Sequence, residues 1–381
     1  MNQVPQIQLE LWLGEAIPSP APTYVTEMLQ SAEIQRDASG PSSFQLVFHA
    51  DRTLGLSPDF ALLSGGLLKA WNRVLIGVRL DGAFTVLMDG FITHQELAHD
   101  KQFGASTLTV SGEDVSILMD RLQISLEYPQ MGDAIIAGIV LAKYSLIGVL
   151  PEIIPTPLDL IPLVVERVPQ QNGTDRAFLN EMACRNGFRF AVRPGPEPLT
   201  NIAYFGPPLN VGSVQPALSI DVGAGTNVER ISFKLDSSAP TAMFGMVQDN
   251  ITEIDAPLTS LPSSRLPPLA SDPALDLLGL MQRRDIYTDP RLGYLQAFNE
   301  VQTSTDISTD HVLVVDGELD TLRYGAVLEA PGLVDLRGAG QSYDGRYRVE
   351  KVTHKLARGS YSQSFNLARE GTGSTISQVA A

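Results

Sequence analysis

The stretch YDGRYRVEKVTHKLARGSYSQSFNLAREG, Tyr343 to Gly371, reads as two β-strands joined by a tight turn. Successive side chains of a strand point to opposite faces, so a half-buried strand alternates apolar and polar residues. Tyr347 and Val349 fall on odd positions, whereas Val352, His354 and Leu356 fall on even ones. The phase flips at Glu350 and Lys351, which predicts a β-bulge that bends the strand as at a barrel corner. Ala357-Arg358-Gly359-Ser360 forms the hairpin loop, with Gly359 supplying a positive φ. The return strand places Tyr361, Phe365 and Leu367 on one face and Ser362, Ser364 and Asn366 on the other. His354 shares a face with Val352 and Leu356, and no carboxylate or nucleophile is placed locally to work with it. It therefore reads as a hydrogen-bonded packing residue, not a catalyst.

Working outward, 381 residues with 44% hydrophobic content suffice for several packed cores. A single cysteine, Cys184, excludes an intrachain disulfide and suggests folding in a reducing compartment. Met1 to Glu10 lacks the basic start and apolar core of a signal peptide. The longest apolar run, Ala134 to Leu150, carries Lys143 and is followed by Pro151, Pro155 and Pro157. It is too short for a membrane span and predicts a buried or partner-facing helix. A formal net charge of −16 argues against stable nucleic-acid binding, which needs clusters of Lys and Arg.

The expected organisation is mainly β with an α+β insertion. Residues 1–125 form a first β section, with strands around Ile7 to Leu13, Phe44 to Phe48, Val74 to Leu80 and Leu108 to Val110. Gly82 and Gly90 mark turns, and Val115, Leu118, Met119 and Leu122 predict an amphipathic helix closing this section. Residues 126–210 are the insertion. There Asp133 caps an apolar helix containing Ile135, Ile139 and Ala142. In NGTDRAFLNEMACRNGFRFAV, Asn172 to Val192, Thr174 is the N-cap, Phe178, Leu179, Met182 and Ala183 are the buried stripe, and Gly187 is the stop before a strand through Phe188, Phe190 and Val192. Strand spacing returns over 211–250, with Val228, Ile231 and Phe233. Residues 251–310, rich in Pro and acidic side chains and without clear period before Leu275 to Leu280, read as an extended connector; 311–371 is a second β section and 372–381 a flexible tail.

Motifs for chemistry are sparse. His49, His94, His99, His311 and His354 are scattered, none is in an HExxH arrangement, and one cysteine makes no CxxC pair, so no metal ligands are assigned. VGAGTN, Val222 to Asn227, lacks the Lys-Ser or Lys-Thr of a phosphate loop and reads as a turn between strands. No GxSxG elbow occurs. Asp316 and Glu318 are the acidic pair to consider for hydrolysis, but read better as a solvated face. No catalytic, cofactor-binding or metal residues are assigned, and no cofactor is expected.

The order and spacing of NGTDRAFLNEMACRNGFRFAV, YFGPP (Tyr204 to Pro208), TNVERISFKLD (Thr226 to Asp236) and the run from Leu322 to Gly371 resemble the late control gene D proteins. These are the baseplate hub proteins of contractile phage tails and related injection systems, and the same module is similar to the N-terminal part of type VI secretion spike proteins. The likeness spans Ile7 to Gly371 and is strongest over Thr174 to Asp236 and Leu322 to Gly371. It implies two tail-tube-like β-barrel domains per chain and a homotrimer that forms a pseudo-sixfold ring. One side of the ring would match a tail tube hexamer and the other a trimeric spike, with hub, wedge or LysM-type proteins nearby. The implied location is the baseplate of a virion or injection particle, assembled in the bacterial cytoplasm. Net acidity fits a lumen that does not hold DNA or cargo.

Only EGTGSTISQVAA follows Arg369, so the spike is expected as a separate chain, and deletion from Gly371 to Ala381 is expected to spare the ring but weaken spike docking. The Ala134 to Leu150 helix and apolar strands are candidates for the trimer interface. Two alternatives stand beside this reading. One is a tail-associated peptidoglycan hydrolase using Asp316 or Glu318. The other is a carbohydrate or receptor-binding module, against which Trp12 and Trp71, the two tryptophans, read as core residues instead of sugar platforms.

Overall fold

The computed structural model describes residues 7–50, 60–99, 106–156, 168–248, 255–278, 281–288 and 293–376. The first section holds β1 (Ile7–Gly14), β2 (Ser19–Pro20), α1 (Thr23–Met28), β3 (Leu29–Asp37), β4 (Ser43–His49), α2 (Ala61–Ser64), β5 (Arg73–Leu80), β6 (Ala83–Ala98) and β7 (Thr107–Asp114). The insertion follows with β8 (Gln123–Glu127), α3 (Asp133–Ala142), β9 (Val149–Ile153), β10 (Gln170–Thr174), α4 (Asp175–Arg185), β11 (Arg189–Pro194) and β12 (Asn201–Gly206). Then come β13 (Val214–Ser219), β14 (Val228–Leu235), β15 (Thr241–Gln248), β16 (Asp255–Thr259), β17 (Asp272–Pro273), α5 (Ala274–Leu278), β18 (Arg283–Tyr287) and α6 (Tyr294–Thr309). The chain closes with β19 (Leu313–Asp320), α7 (Thr321–Tyr324), β20 (Gly332–Arg337), β21 (Gly345–Ala357), β22 (Ser360–Arg369) and β23 (Gly371–Thr372).

The two β sections are not separate barrels. They merge into one 13-stranded sheet of order β14-β19-β22-β21-β3-β4-β7-β6-β5-β1-β2, with β13 and β20 branching from β21. Among the described residues this sheet keeps open edges and does not close. The 13-residue β21 explains the merger. Its first half, Gly345–Val349, pairs with β20, and its second half, from Lys351 to Ala357, pairs with β3. Between the halves the register against β22 slips from Val349 to Lys351, leaving Glu350 as the extra residue. The bulge therefore lies where the sequence phase flips, and it turns the strand from one section into the other. Gly359 closes the β21–β22 turn at φ 81°.

Each section keeps its own apolar core. One gathers Leu11, Leu46, Phe48, Val74, Ile76 and Val110 and reaches Leu356 and Tyr361; the other gathers Leu218, Val315, Leu336, Tyr347, Val352 and Phe365. His354 stands between Val352 of one core and Leu356 of the other on the same face of β21, fully buried.

Four expectations in the first two sections differ in detail. Gly90 is not at a turn but inside β6, where a Cβ would lie 2.1 Å from the Glu113 carbonyl oxygen, so glycine permits the close approach of β7. The helix after Glu113 is a single 3-10 segment, Val115–Asp120, started by the Asp114 carboxylate accepting from the Ser116 N–H at 2.8 Å. Its stripe stops because Leu122 is exposed at the entry to β8. The run from Ala134 to Leu150 is likewise not one helix: α3 ends at Ala142, Lys143 and Tyr144 turn to Asp175 at 2.6 Å each, and Gly148 at φ 87° starts β9. Gly132 is the N-cap of α3, while Asp133 sits in its first turn and binds Arg185 and Asn186.

The α4 expectations hold: Thr174 accepts from the Ala177 N–H at 3.2 Å, Phe178, Leu179, Met182 and Ala183 are buried, and Gly187 has φ 61°. Val222 to Asn227 forms the turn between β13 and β14.

The expected extended connector is instead a folded unit. β16, β15 and β18 form a three-stranded sheet, and the 16-residue α6 packs on one face through Ala297 and Val301 against Val247, Leu258 and Tyr287. The helix hides from apolar periodicity because its buried side also carries Gln302, Thr303, Thr305, Asp306 and Thr309. Asp306 makes this possible by accepting from the Ser264 N–H at 2.8 Å and from Gln302 at 3.1 Å.

Residues 372–376, expected as the start of a flexible tail, are held by the fold. Residues Gly371–Thr372 pair with β17, and Thr375 donates to the Leu269 carbonyl at 3.2 Å. Arg369, fully buried, donates to the Gly371 carbonyl at 2.9 Å, so deletion from Gly371 would strip a partner from a buried cation. Residues 377–381 lie outside the described residues.

Candidate assembly surfaces

Where the pieces meet, the interior is charged. Arg348, 2% exposed, donates to Asn210 Oδ1 at 2.9 Å and Glu350 Oε1 at 3.3 Å, and lies 3.4 Å from Asp310 Oδ1. Asp310, just past α6, also takes Arg265, which donates to the Gly187 carbonyl at 2.7 Å. Glu350 pairs with Arg189 on β11, and Glu370 accepts from the Leu269 and Ala270 N–H groups. One seam thus ties the bulge of β21, the insertion and the small unit. Burial alone would push the Glu350 carboxyl up, but His311, Arg189 and Arg348 outweigh it and hold it below the usual range. A second junction joins the first section to the insertion: Arg73 grips Asp89 through bonds of 2.7 and 2.6 Å, Asn201 donates to Asp89 at 2.8 Å, and Arg73 reaches the Ile147 carbonyl. Such pairs rigidify an arrangement, since removing one partner strands the other in a dry interior.

The residues weighed as chemical candidates are dispersed. The His354 Nδ1 lies 2.9 Å from the Tyr361 hydroxyl, while its Nε2 is buried without a hydrogen-bond partner. Burial, and after it the Arg36 guanidinium, push its pKa down to about 3, so the ring is neutral and packs. Asp316 and Glu318 lie on one face of β19, each paired with a cation of β14: Lys234, diagonal in register, to Asp316 at 2.7 Å and Arg230, directly opposite, to Glu318 at 3.1 Å. Lys234 and then Asn366 hold Asp316 below the usual carboxylate range, the wrong direction for a proton donor at neutral pH. No group of three His, Cys, Asp or Glu with metal-holding geometry occurs among the described residues. Cys184 is exposed on α4. Trp12 is half-buried in β1, but Trp71 departs from the core expectation: it is 42% exposed at φ 70°, with the Arg121 guanidinium 4.2 Å from its ring centroid. No helix among the described residues is long and apolar enough to cross a membrane.

What remains is surface. The outer face of the large sheet is polar, and opposite charges meet across its strands, as in Lys234–Asp316, Arg230–Glu318 and Lys351–Asp37. Net acidity is not concentrated in these pairs. Among the described residues, β14 at one end of the sheet pairs only with β19, and at the other β2 covers only Trp12 and Leu13 of β1. Exposed apolar side chains lie on α3, with Ile135 and Ile139, and on the small unit, with Phe244, Met246 and Ile286. The sequence reading missed the seam because its members are far apart in the chain; the phase flip at Glu350 was its one local trace.

Comparison with known proteins locates this architecture. No family model matches the chain, and no curated protein matches it. Among solved structures, the tail protein from Neisseria meningitidis superposes with a TM-score of 0.63 at 13% identity, covering 96% of this chain and 97% of that one. The 43 kDa tail protein of prophage MuSo2 from Shewanella oneidensis gives a TM-score of 0.63 at 12% identity, over 96% and 99%. An E. coli component of the type VI secretion system, described as similar to the T4 bacteriophage tail proteins gp27 and gp5, gives 0.52 at 12% identity, over 90% and 73%. The chain has the fold of these phage tail and type VI secretion proteins.

Proposed function

We propose that this chain is the structural hub of a contractile phage tail or related injection particle, a homotrimer that adapts the sixfold tail tube to a threefold spike. The observation that carries the reading is a fold shared with phage tail proteins over nearly the whole of both chains. Two β sections in one chain fit the symmetry, since three copies present six. The open edges at β14 and β1 suit strand pairing between neighbours, which removes exposed edges from the ring. In this reading the polar outer face of the sheet lines the passage. Its paired charges, within a chain of net negative charge, give a wall with little hold on passing DNA or protein. The partners are the tube hexamer, a trimeric spike and neighbouring hub, wedge or LysM-type proteins, at a baseplate assembled in the bacterial cytoplasm. In this reading the protein works by interface complementarity; the pairing of Asp316 with Lys234 and of Glu318 with Arg230 supports it over hydrolysis.

Native mass and electron microscopy of the purified chain, alone and with a co-expressed spike, test the proposal. A ring of three chains around a pore is expected, each interface burying more than about 1,000 Å². A chain that stays monomeric with its spike, or that clears peptidoglycan in a zymogram, would overturn it.

A further inference from the structure

Five arginines are buried among the described residues, and four of them are answered. Arg73 pairs with Asp89, Arg265 with Asp310, Arg348 with Asp310 and Glu350, and Arg369 donates to the carbonyls of Ser342, Asp344 and Gly371. Arg36 is the exception: 2% exposed, it forms no ion pair and donates no hydrogen bond among the described residues. It lies on the inward face of β3 with Ala32 and Ile34. The register against β21 sets Ile34 opposite His354 and Arg36 opposite Val352, so Arg36 is the diagonal neighbour of His354 on one buried face. There the Tyr361 hydroxyl, which has no other acceptor among the described residues, donates to His354 Nδ1 at 2.9 Å. The proton of the neutral ring is left on Nε2, buried without a partner. The Arg193 Nε on β11, within the field of Arg36, is a third buried donor without an acceptor. The opposite charges in reach do not answer these donors. Both oxygens of Asp114 are taken, by the N–H groups of Ser42 at 2.5 Å and Ser116 at 2.8 Å. Glu329, half-buried, acts on Arg36 from a distance and forms no ion pair with it. Arg193 is matched by Glu152 at 3.0 Å, so the charge left without a contact is that of Arg36.

We propose that Arg36 and the His354 Nε2–H, joined by the Arg193 Nε–H, hold one small monovalent anion of the chloride class where the two β sections meet the insertion. An unpaired guanidinium in a dry interior is strongly destabilising, and an ion that brings one negative charge and accepts from several N–H groups removes that penalty. A divalent oxyanion would bring a second charge that no further cation meets. The ion offsets part of the Arg36 field on His354, but burial is the larger cause of its low pKa and keeps the ring neutral. Only the folded chain brings β3, β21 and β11 together, so binding stabilises the fold. The inference goes beyond the hub reading and does not depend on it, since all three donors belong to one chain.

The test is the thermal melt of the full-length protein, with sodium chloride exchanged against sodium gluconate, a bulky anion, at constant ionic strength. A tenfold rise in chloride, from about 10 to about 100 mM, is expected to raise the wild-type melting temperature by about 2 °C, and bromide should replace chloride. Arg36→Met should abolish the response, whereas Arg230→Met, at the exposed Arg230–Glu318 pair, should retain it. Glu329→Gln removes the competing negative charge and leaves the buried donors in place, so it should shift the response to several-fold lower chloride. That variant keeps the test open if Arg36→Met does not fold. Equal wild-type melts in chloride and gluconate would overturn the proposal and leave water and Glu329 to answer Arg36. An Arg36→Met protein with the wild-type response, or a Glu329→Gln protein without the shift, would overturn it as well. None of these outcomes bears on the oligomeric state, which tests the hub reading separately.

Discussion

The large sheet and the small unit around α6 solve the same burial problem with different side chains. The sheet packs Leu46, Phe48, Val74, Ile76 and Val110 from alternate strand positions into a continuous apolar layer. The small unit has a thin apolar core, Val247, Leu258, Tyr287, Ala297 and Val301, and completes it with buried Gln302, Thr305 and Asp306. One is held by area removed from water; the other depends on polar groups finding partners. The first kind of packing tolerates exchange of one apolar side chain for another, whereas the second is specified bond by bond. The two meet at Asp310 and Arg348.

The largest effect is expected at that meeting point. Arg348→Ala leaves Asp310, Glu350 and Glu370 facing one another in the interior and should cost about 3–5 kcal/mol, read as a lower urea midpoint. A loss below about 1 kcal/mol would mean that the seam does not couple the regions. The next pair sharpens the contrast itself. Leu46→Ala should cost about 2–5 kcal/mol through a cavity, and Asp306→Ala about 1–3 kcal/mol by orphaning the Ser264 N–H and taking one of its two acceptors from the Gln302 amide. Hydrogen exchange should localise the Asp306→Ala effect to α6 and β15. If Asp306→Ala were silent, the small unit would stand on its apolar core alone.

A smaller effect separates the two cores of the sheet. His354 has its folded pKa lowered from 6.5 to about 3, so between those values the unfolded chain binds a proton that the folded chain does not. Its contribution is fully present above pH 6.5 and lost as pH falls through that window. Asp114, raised by burial from 3.8 to about 6, works in the opposite sense, so the comparison is between wild type and His354→Gln. The variant should lose up to about 1.4 kcal/mol per pH unit of that slope. Identical slopes would show that the histidine is solvated, and the layer between the cores would not be dry.

Legibility in the sequence followed the same contrast. The phase flip at Glu350, the Thr174 cap and the α4 stripe were readable because each is written in neighbouring residues whose spacing matches a single period. The α6 helix was not, because its buried face is as polar as a solvated one until Ser264 and Leu261 arrive from another segment to pair with it. The α3 run misled in the other direction: an unbroken apolar composition concealed the stop imposed by Asp175, which draws Lys143 and Tyr144 away.

By itself, the sequence determined strands such as β1, β4, β5, β21 and β22, the faces of β21 and β22, and the bulge, since these depend on side-chain alternation and local backbone preference. Only the tertiary structure decided that the two β sections share β21 as one sheet, that β15, β16 and β18 pack against α6, and that Arg348, Asp310, Glu350 and Arg189 form a seam. The physical reason is that a buried charge or amide is stable only through partners, and those partners are brought close by the fold and not by their order in the chain.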